Sequence, residues 1–260
     1  MAEINCLLDY DGFICKAFYG TSASNSEPSM GDFDEVLIYL REIAIQKAKD
    51  YAGEGNKVKT FRVVSGHTYK KDIYPSYKQN RKKNELLGQF REYVKYYHQD
   101  DMIIVPSLEA DDVITMLYQD KPEQSIVFSD DKDLRYYCPM YCKISTQSEI
   151  TYQEDYEKLQ LEQLLIGDSE DNITGIPKVG EKTARKILEQ SGYTLESVIR
   201  EYKDKDISID ECLKNLVLTT PICKQYNTNF SAILDDKSIM DNILGHFRYF
   251  NEKVTEIYNT

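Results

Sequence analysis

The sequence of 260 residues has no tryptophan, only three histidines, and six cysteines that never form a C-x-x-C pair. The histidines lie outside every acidic cluster, and Cys138 and Cys142 have no close histidine, so no ligand set for zinc is present. Cys6, Cys15, Cys138, Cys142, Cys212 and Cys223 are scattered and read as reduced core thiols of a cytoplasmic protein rather than a disulfide framework. No apolar run approaches the roughly 18 residues of a membrane span. The first twelve residues, MAEINCLLDYDG, lack the charged and apolar regions of a secretory signal. Internal repeats and low-complexity blocks are absent as well. Twenty-one tyrosines supply the rings available for stacking.

What is present is acid, unevenly placed. The net charge is −12, yet Lys57 to Lys95 holds eleven Lys or Arg against three Asp or Glu. A negative total with one basic strip suits a protein that holds a phosphodiester at one place without coating a duplex.

Periodicity predicts alternating strands and helices, then helices alone. INCLLD (4–9), KVKTFRVV (57–64), MIIVP (102–106) and SIVFS (125–129) read as strands. MYCKIST and EITY read as two further short strands. Helices are expected over 34–51, 85–99, 109–120, 153–167, 181–191, 194–204 and 209–219, with a helical tail to Thr260. Residues 21–32, rich in Ser, Gly, Asn and Pro, read as loop. The fold class is therefore α/β, a mostly parallel central sheet flanked by helices, with a helical extension. Residues 1–165 form the expected core and 166–260 the extension.

Four acidic clusters follow in order: Asp9; Glu109 with Asp111 and Asp112; Asp131 with Asp133; Asp168 with Asp171. Three stand at strand ends or just after, where a parallel sheet gathers its site at one edge. Taken singly, each is a turn acid or a helix cap. Together they would repel and shift one another's pKa unless cations held them. Hard oxygen ligands favour Mg²⁺ or Mn²⁺. Asp11 reads equally as a turn residue beside Gly12 or as a further ligand.

The last cluster opens GDSEDNITGIPKVGEKTARK (167–186), where Asp168 and Asp171 are expected at a helix end. Gly175, Pro177 and Gly180 then precede a new helix, whose free N–H groups can meet a phosphate. Lys178, Lys182, Arg185 and Lys186 surround that point. Upstream, HTYKKDIYPSYKQNRKKN (67–84) mixes bases with rings that can meet phosphate and stack on bases; a solvated basic loop is the plainer alternative.

These phrases resemble the 5′-nuclease (flap endonuclease) family, which includes the 5′→3′ exonuclease domain of bacterial DNA polymerase I and stand-alone phage enzymes. The resemblance covers most of residues 4–220 and rests on Lys16-Ala17-Phe18, YPSYKQNR, EADD, SDDKDL and GDSEDN…GIPKVGEKTA. It implies a helical arch at about 67–99 and a helix–three-turn–helix grip on duplex DNA. It implies two divalent ions, the first held by Asp9, Glu109, Asp111, Asp112 and Asp131, the second by Asp133, Asp168 and Asp171. Lys78 and Arg81 match the basic residues at the arch base that neutralise the scissile phosphate. DNA contacts would come from Tyr77, Lys82, Lys83, Gly175, Lys178, Gly180, Lys182, Thr183, Arg185 and Lys186, with K⁺ at the helix–three-turn–helix. The expected protein is a monomeric, cytoplasmic enzyme, in the host cytoplasm if phage-encoded. It would act on branched or 5′-ended DNA, or an RNA–DNA hybrid, and leave 5′-phosphates.

One departure stands out. The family carries an Asp just after its second strand, whereas here the strand reads FRVVSG and no acid lies between Glu54 and Asp72. Asp11 or a water would then substitute, or metal affinity would fall. Two other readings compete: a PIN-type ribonuclease, which needs no GIPKVG grip, and a DNA-binding protein that lost its chemistry with the missing acid.

Overall fold

The computed structural model describes residues 3–146, 149–152 and 156–221. Six segments form one sheet: β1 (Glu3–Asp9), β2 (Lys57–Val63), β3 (Met102–Ile103), β4 (Ser125–Phe128), β5 (Met140–Cys142) and β6 (Thr151–Tyr152). Their spatial order is β3-β2-β1-β4-β5-β6. All neighbours are parallel except β5 and β6. The order reverses between β1 and β4, and the carboxyl ends of those two strands carry Asp9 and Ser129. That is the switch point at which open α/β sheets leave a crevice.

A strand buried on both faces reads as mostly apolar sequence, and β1 does but for Asn5, which donates to Ser125 Oγ at 3.3 Å. Leu7 enters one core layer, while Cys6 and Leu8 enter the other. The second layer is closed by α1 (Tyr10–Ser24) and α2 (Met30–Ala52) and, beyond the one-turn α3 (Lys70–Ile73), by α4 (Glu85–Tyr97). Phe18, Phe33 and Phe90 pack there at ring spacings of 4.9 and 5.1 Å. The first layer holds α5 (Ala110–Asp120) and α6 (Tyr156–Ile166). After a ribbon of β7 (Gly167–Asp168) and β8 (Ile173–Thr174) come α7 (Glu181–Ser191), α8 (Leu195–Asp204) and α9 (Ile209–Thr219). Leu7, Leu164, Leu188 and Leu216 share this one core, across the boundary expected near residue 165.

Four expectations need correction. Residues 21–32 are not all loop: α1 runs to Ser24, where the Thr21 and Ser24 hydroxyls bond back to Ala17 O and Gly20 O at 2.8 and 3.2 Å. Helix α2 starts early because Ser29 and Asp32 form a reciprocal capping box. The third strand keeps only Met102–Ile103. Asp168 and Asp171 do not sit at a helix end: α6 stops at Ile166, and the pair lies on β7 and in the turn to β8. The backbone is responsible. Gly167 has φ +78, and a Cβ on Gly175 would lie 2.2 Å from Ile166 C, so two glycines let the chain double back where other residues would clash. The expected helical tail lies outside the described residues, as does Cys223.

Candidate active site

The site begins with Asp9, the last residue of β1. Its carboxylate caps α1 by accepting from Gly12 N at 3.3 Å, and Ser129 Oγ donates to it at 2.5 Å. Gly12 is needed there, since a Cβ would stand 2.7 Å from Asp9 Oδ2. The Ser129 hydroxyl also accepts from Asp131 N at 2.9 Å, so one side chain ties the first acid to the third cluster. Burial, then the neighbouring Asp11, lifts the Asp9 pKa to about 7.

Helix α5 brings the second cluster. Glu109 is its N-cap, and Asp112 reaches back to accept from Glu109 N at 3.1 Å. Glu109, Asp111 and Asp112 each offer an oxygen within 4.8 Å of the others. Asp112 is fully buried and Glu109 nearly so. Burial and the two neighbouring carboxylates push Asp111 well up. Glu109 goes the other way: burial raises it, but Lys70 and Lys78 together outweigh that and hold it low.

Asp131 accepts from Asp133 N at 2.8 Å, and Gln163 Nε2 donates to Asp133 at 3.1 Å. Burial, then Asp131, raises Asp133 to about 7. Asp130 turns aside to accept from Ser145 N at 2.8 Å. On the ribbon, Asp168 Oδ1 accepts from Glu170 N and Asp171 N at 2.9 and 3.3 Å, which holds the turn. Its other oxygen meets Lys132 Nζ at 3.2 Å.

The basic stretch closes over these acids. Arg81 donates to Asp171 Oδ1 through Nη2 at 2.5 Å and Nε at 3.0 Å. Lys78 Nζ bonds Glu109, and Lys78 N donates to Asp171 O at 3.0 Å. Tyr77 OH donates to Glu109 and Asp171 at 3.0 and 3.2 Å. Asn172, at φ 61, donates to Ser76 O and accepts from Asn80, each at 3.0 Å. The turn at 76–81 is thereby latched onto the turn at 169–172.

Asp111, Asp131, Asp133, Asp168 and Asp171 line a cleft of about 300 Å³ together with Lys70, Tyr77, Lys78, Arg81 and Lys132. Asp9, Glu109 and Asp112 are buried and do not line it. Asp11 stands apart. It accepts from Ser65 N at 2.7 Å and faces Arg91 Nε of α4 at 3.1 Å. Ser65 occupies the position after β2 where an acid was expected, and its hydroxyl accepts from Ala110 N at 2.9 Å.

The remaining residues expected to touch DNA divide. Lys82 and Lys83 are exposed just after the turn at 76–81; Lys178, Gly180, Lys182, Thr183 and Lys186 are exposed around the start of α7. Gly180 leaves open space at the N-cap of α7, with nothing within 4 Å of a Cβ position. Gly175 instead packs backbone to backbone on Ile166 and Gly167. Arg185 is paired with Glu162 at 3.2 Å, which Tyr193 also bonds. Helix α4, expected as the far side of an arch, lies on α1 and α2 with Phe90 and Val94 in the core.

The sequence reading missed Lys70, Ser65, Ser129 and Lys132 as parts of the site. Lys132 carried a signal, standing between Asp131 and Asp133. Ser129 and Ser65 had only their place one or two residues beyond a buried strand.

The class that emerges is an α/β protein with an acid-lined cleft at the switch point of a parallel sheet, bridged by basic side chains. The chain belongs to the 5′-3′ exonuclease family, whose N-terminal resolvase-like domain matches residues 5–161. It is similar to DNA polymerase I of Bacillus subtilis, 32% identical over 191 residues, which is 60% of this chain and 22% of that protein. It is also similar to DNA polymerase I of Rhizobium leguminosarum, 30% identical over 212 residues, 72% of this chain and 20% of that one. The chain thus spans about a fifth of the length of these relatives. Among solved structures, the bacteriophage T5 flap endonuclease in a pseudo-enzyme-product complex with DNA and metal ions shares the fold. Its TM-score is 0.63 at 16% identity, with 100% of each chain covered.

Proposed function

We propose that this chain is a metal-dependent 5′-nuclease, cleaving phosphodiesters at 5′ ends and 5′ flaps of DNA or of an RNA primer on DNA. The observation that carries this reading is the bridging of the acidic cleft by Lys78 and Arg81, bonded to Glu109 and Asp171. Two cations so placed can exchange a carboxylate for a phosphate and offset its developing charge. The donor set fits a hard divalent ion: three carboxylates within 4.8 Å of one another, with neither His nor Cys among them. Glu109, Asp111 and Asp112 would hold one ion with Asp9 and Asp131 behind or beside them; Asp133, Asp168 and Asp171 would hold the other. Mg²⁺ or Mn²⁺ bound there would lower the pKa of a water and clamp the attacking and leaving oxygens.

The chain's own residues do the rest. Tyr77 orients Glu109 and Asp171 through its hydroxyl. Asn172 keeps Lys78 and Arg81 over the cleft. The open N-terminus of α7, with Lys178, Lys182 and Lys186 exposed around it, offers backbone N–H groups and charge to a duplex without reading its sequence. The T5 flap endonuclease, which shares this fold, was solved with DNA and metal ions, in keeping with a nucleic-acid substrate and divalent ions here. Removal of replication primers and nucleic-acid recycling are both roles that such an activity serves.

The test is cleavage of a labelled 5′-flap duplex, single-stranded DNA and RNA with Mg²⁺ or Mn²⁺ and with EDTA. Metal-dependent release of 5′-phosphorylated product from the flap is expected. Asp168→Asn sharpens it: the amide keeps the oxygen that holds the turn but loses the charge facing Lys132. Cleavage should fall roughly 100-fold, on the scale of a disturbed metal shell, with flap binding and thermal unfolding nearly unchanged. Wild-type turnover by this variant would remove Asp168 from the site.

A further inference from the structure

Lys70 lies in the basic strip, where charge runs are commonly solvated surface. In the fold it is 1% exposed. Its Nζ stands 3.1 Å from Glu109 Oε2, 3.8 Å from Asp111 Oδ2 and 3.9 Å from Asp112 Oδ1. The ammonium also lies 5.8 Å from the centre of the Tyr77 ring. Its backbone is pinned: Lys70 N donates to Thr68 Oγ1 at 3.2 Å, and Lys70 O accepts from Tyr74 N at 2.8 Å.

Lys78 faces the same glutamate but differs in kind. It is partly exposed at the mouth of the cleft, on a turn, and can swing to an arriving phosphate. Lys70 borders the cleft but is 1% exposed, with its ammonium held against the triad. Its charge therefore stays beside the triad whatever enters the cleft. Three carboxylates and one fixed ammonium leave formally two negative charges, the charge that one divalent ion cancels.

We propose that Lys70 is an internal counter-cation of the Glu109–Asp111–Asp112 triad. It holds the three acids together without a metal and lowers their affinity for a divalent ion. Lys70 is a positioning residue here, because it acts through the acids and not on substrate. The metal half of the inference rests on the proposed nuclease reading.

The experiment uses the full chain and reads two quantities other than activity: thermal unfolding in EDTA, and Mn²⁺ affinity by spin-resonance titration. Lys70→Met should unfold at lower temperature in EDTA and bind Mn²⁺ about ten-fold tighter or more, because a positive charge beside all three acids is gone. Lys70→Arg, which keeps the charge, should restore both values towards wild type. If Lys70→Met is unfolded in EDTA, recovery of its fold on adding Mn²⁺ supports the proposal. If it stays unfolded with Mn²⁺, the double variant Lys70→Met, Asp111→Asn removes one charge of each sign and should fold. Failure of that variant too would make Lys70 a packing residue and overturn the proposal. Equal unfolding temperature and equal Mn²⁺ affinity in Lys70→Met and wild type would also overturn it, leaving the metal site standing. Absence of Mn²⁺ binding in both would overturn the metal reading, and this inference with it.

Discussion

Buried carboxyls, Asp111 among them, set a pH dependence at the scale of single residues. Asp9 and Asp133 are raised from 3.8 to about 7, each chiefly by burial and next by a neighbouring aspartate. Between those limits the folded chain holds protons that the unfolded chain has released, so stability falls as pH rises. Glu109 has the opposite sign, but its contribution is lost only below the ordinary carboxylate range. In EDTA the unfolding temperature should therefore drop by several degrees from pH 5 to pH 7. Added Mg²⁺ should flatten the curve by replacing the protons, and Asp9→Asn should remove part of the slope. A melting temperature that rises over this window would mean the acids ionise freely. The residues behind this behaviour were only half legible in the sequence. The acids announced themselves by clustering after strands. Lys70 and Ser129 did not, because a lysine in a basic run and a serine after a strand look alike whether solvated or enclosed. What encloses them is contact with α5 and with Asp9, more than thirty residues away along the chain.

Among elements, the β7–β8 ribbon is the one most dependent on a residue type. A Cβ on Gly175 would meet only backbone, at 2.2 to 2.5 Å from Ile166 and Gly167, and backbone cannot step aside as a flexible side chain can. Gly175→Ala should cost about 3 kcal/mol, the upper range for overpacking, read as a lower midpoint in urea with α7 displaced. Gly180→Ala meets open space at an extended φ of −109. It should cost under about 1 kcal/mol as a poorer N-cap but weaken duplex binding, because the methyl stands where a phosphate would approach. Similar stability losses in the two variants would contradict this division of labour. The ribbon also shows where pattern reading stops. Strands β1, β2 and β4 were legible as apolar or β-branched runs, and α7 and α9 by period. Two-residue strands carry no period at all, and GDSEDN reads as a helix end because the apolar period of 153–167 closes on Gly167. The start of α2 was legible in principle: Ser29 and Asp32 have capping-box spacing, which the surrounding Ser, Asn and Pro obscured.

For the whole molecule the question is how a chain of net charge −12 holds a polyanion. Folding separates the signs. The clustered acids turn inward to one cleft, where Lys70, Lys78, Arg81 and Lys132 already face them, and exposed lysines remain at the start of α7. Arg185 is not one of these free charges, since Glu162 holds it. The separation predicts a graded response to salt. Each lysine that displaces a counterion from duplex DNA contributes about 0.9 to the slope of log affinity against log salt concentration. Lys182→Ala with Lys186→Ala should therefore flatten that slope by nearly two for a 5′-flap duplex, and weaken binding most at low salt. Arg185→Ala should change the slope far less, because its charge is spent within the protein. Measured by fluorescence anisotropy in Ca²⁺ at several salt concentrations, this pattern distinguishes a grip at α7 from contact along the strip at Lys82 and Lys83. If the double variant keeps the wild-type slope while Lys82→Ala with Lys83→Ala loses it, the duplex is held beside the turn at 76–81, and the open N-terminus of α7 has no nucleic-acid role.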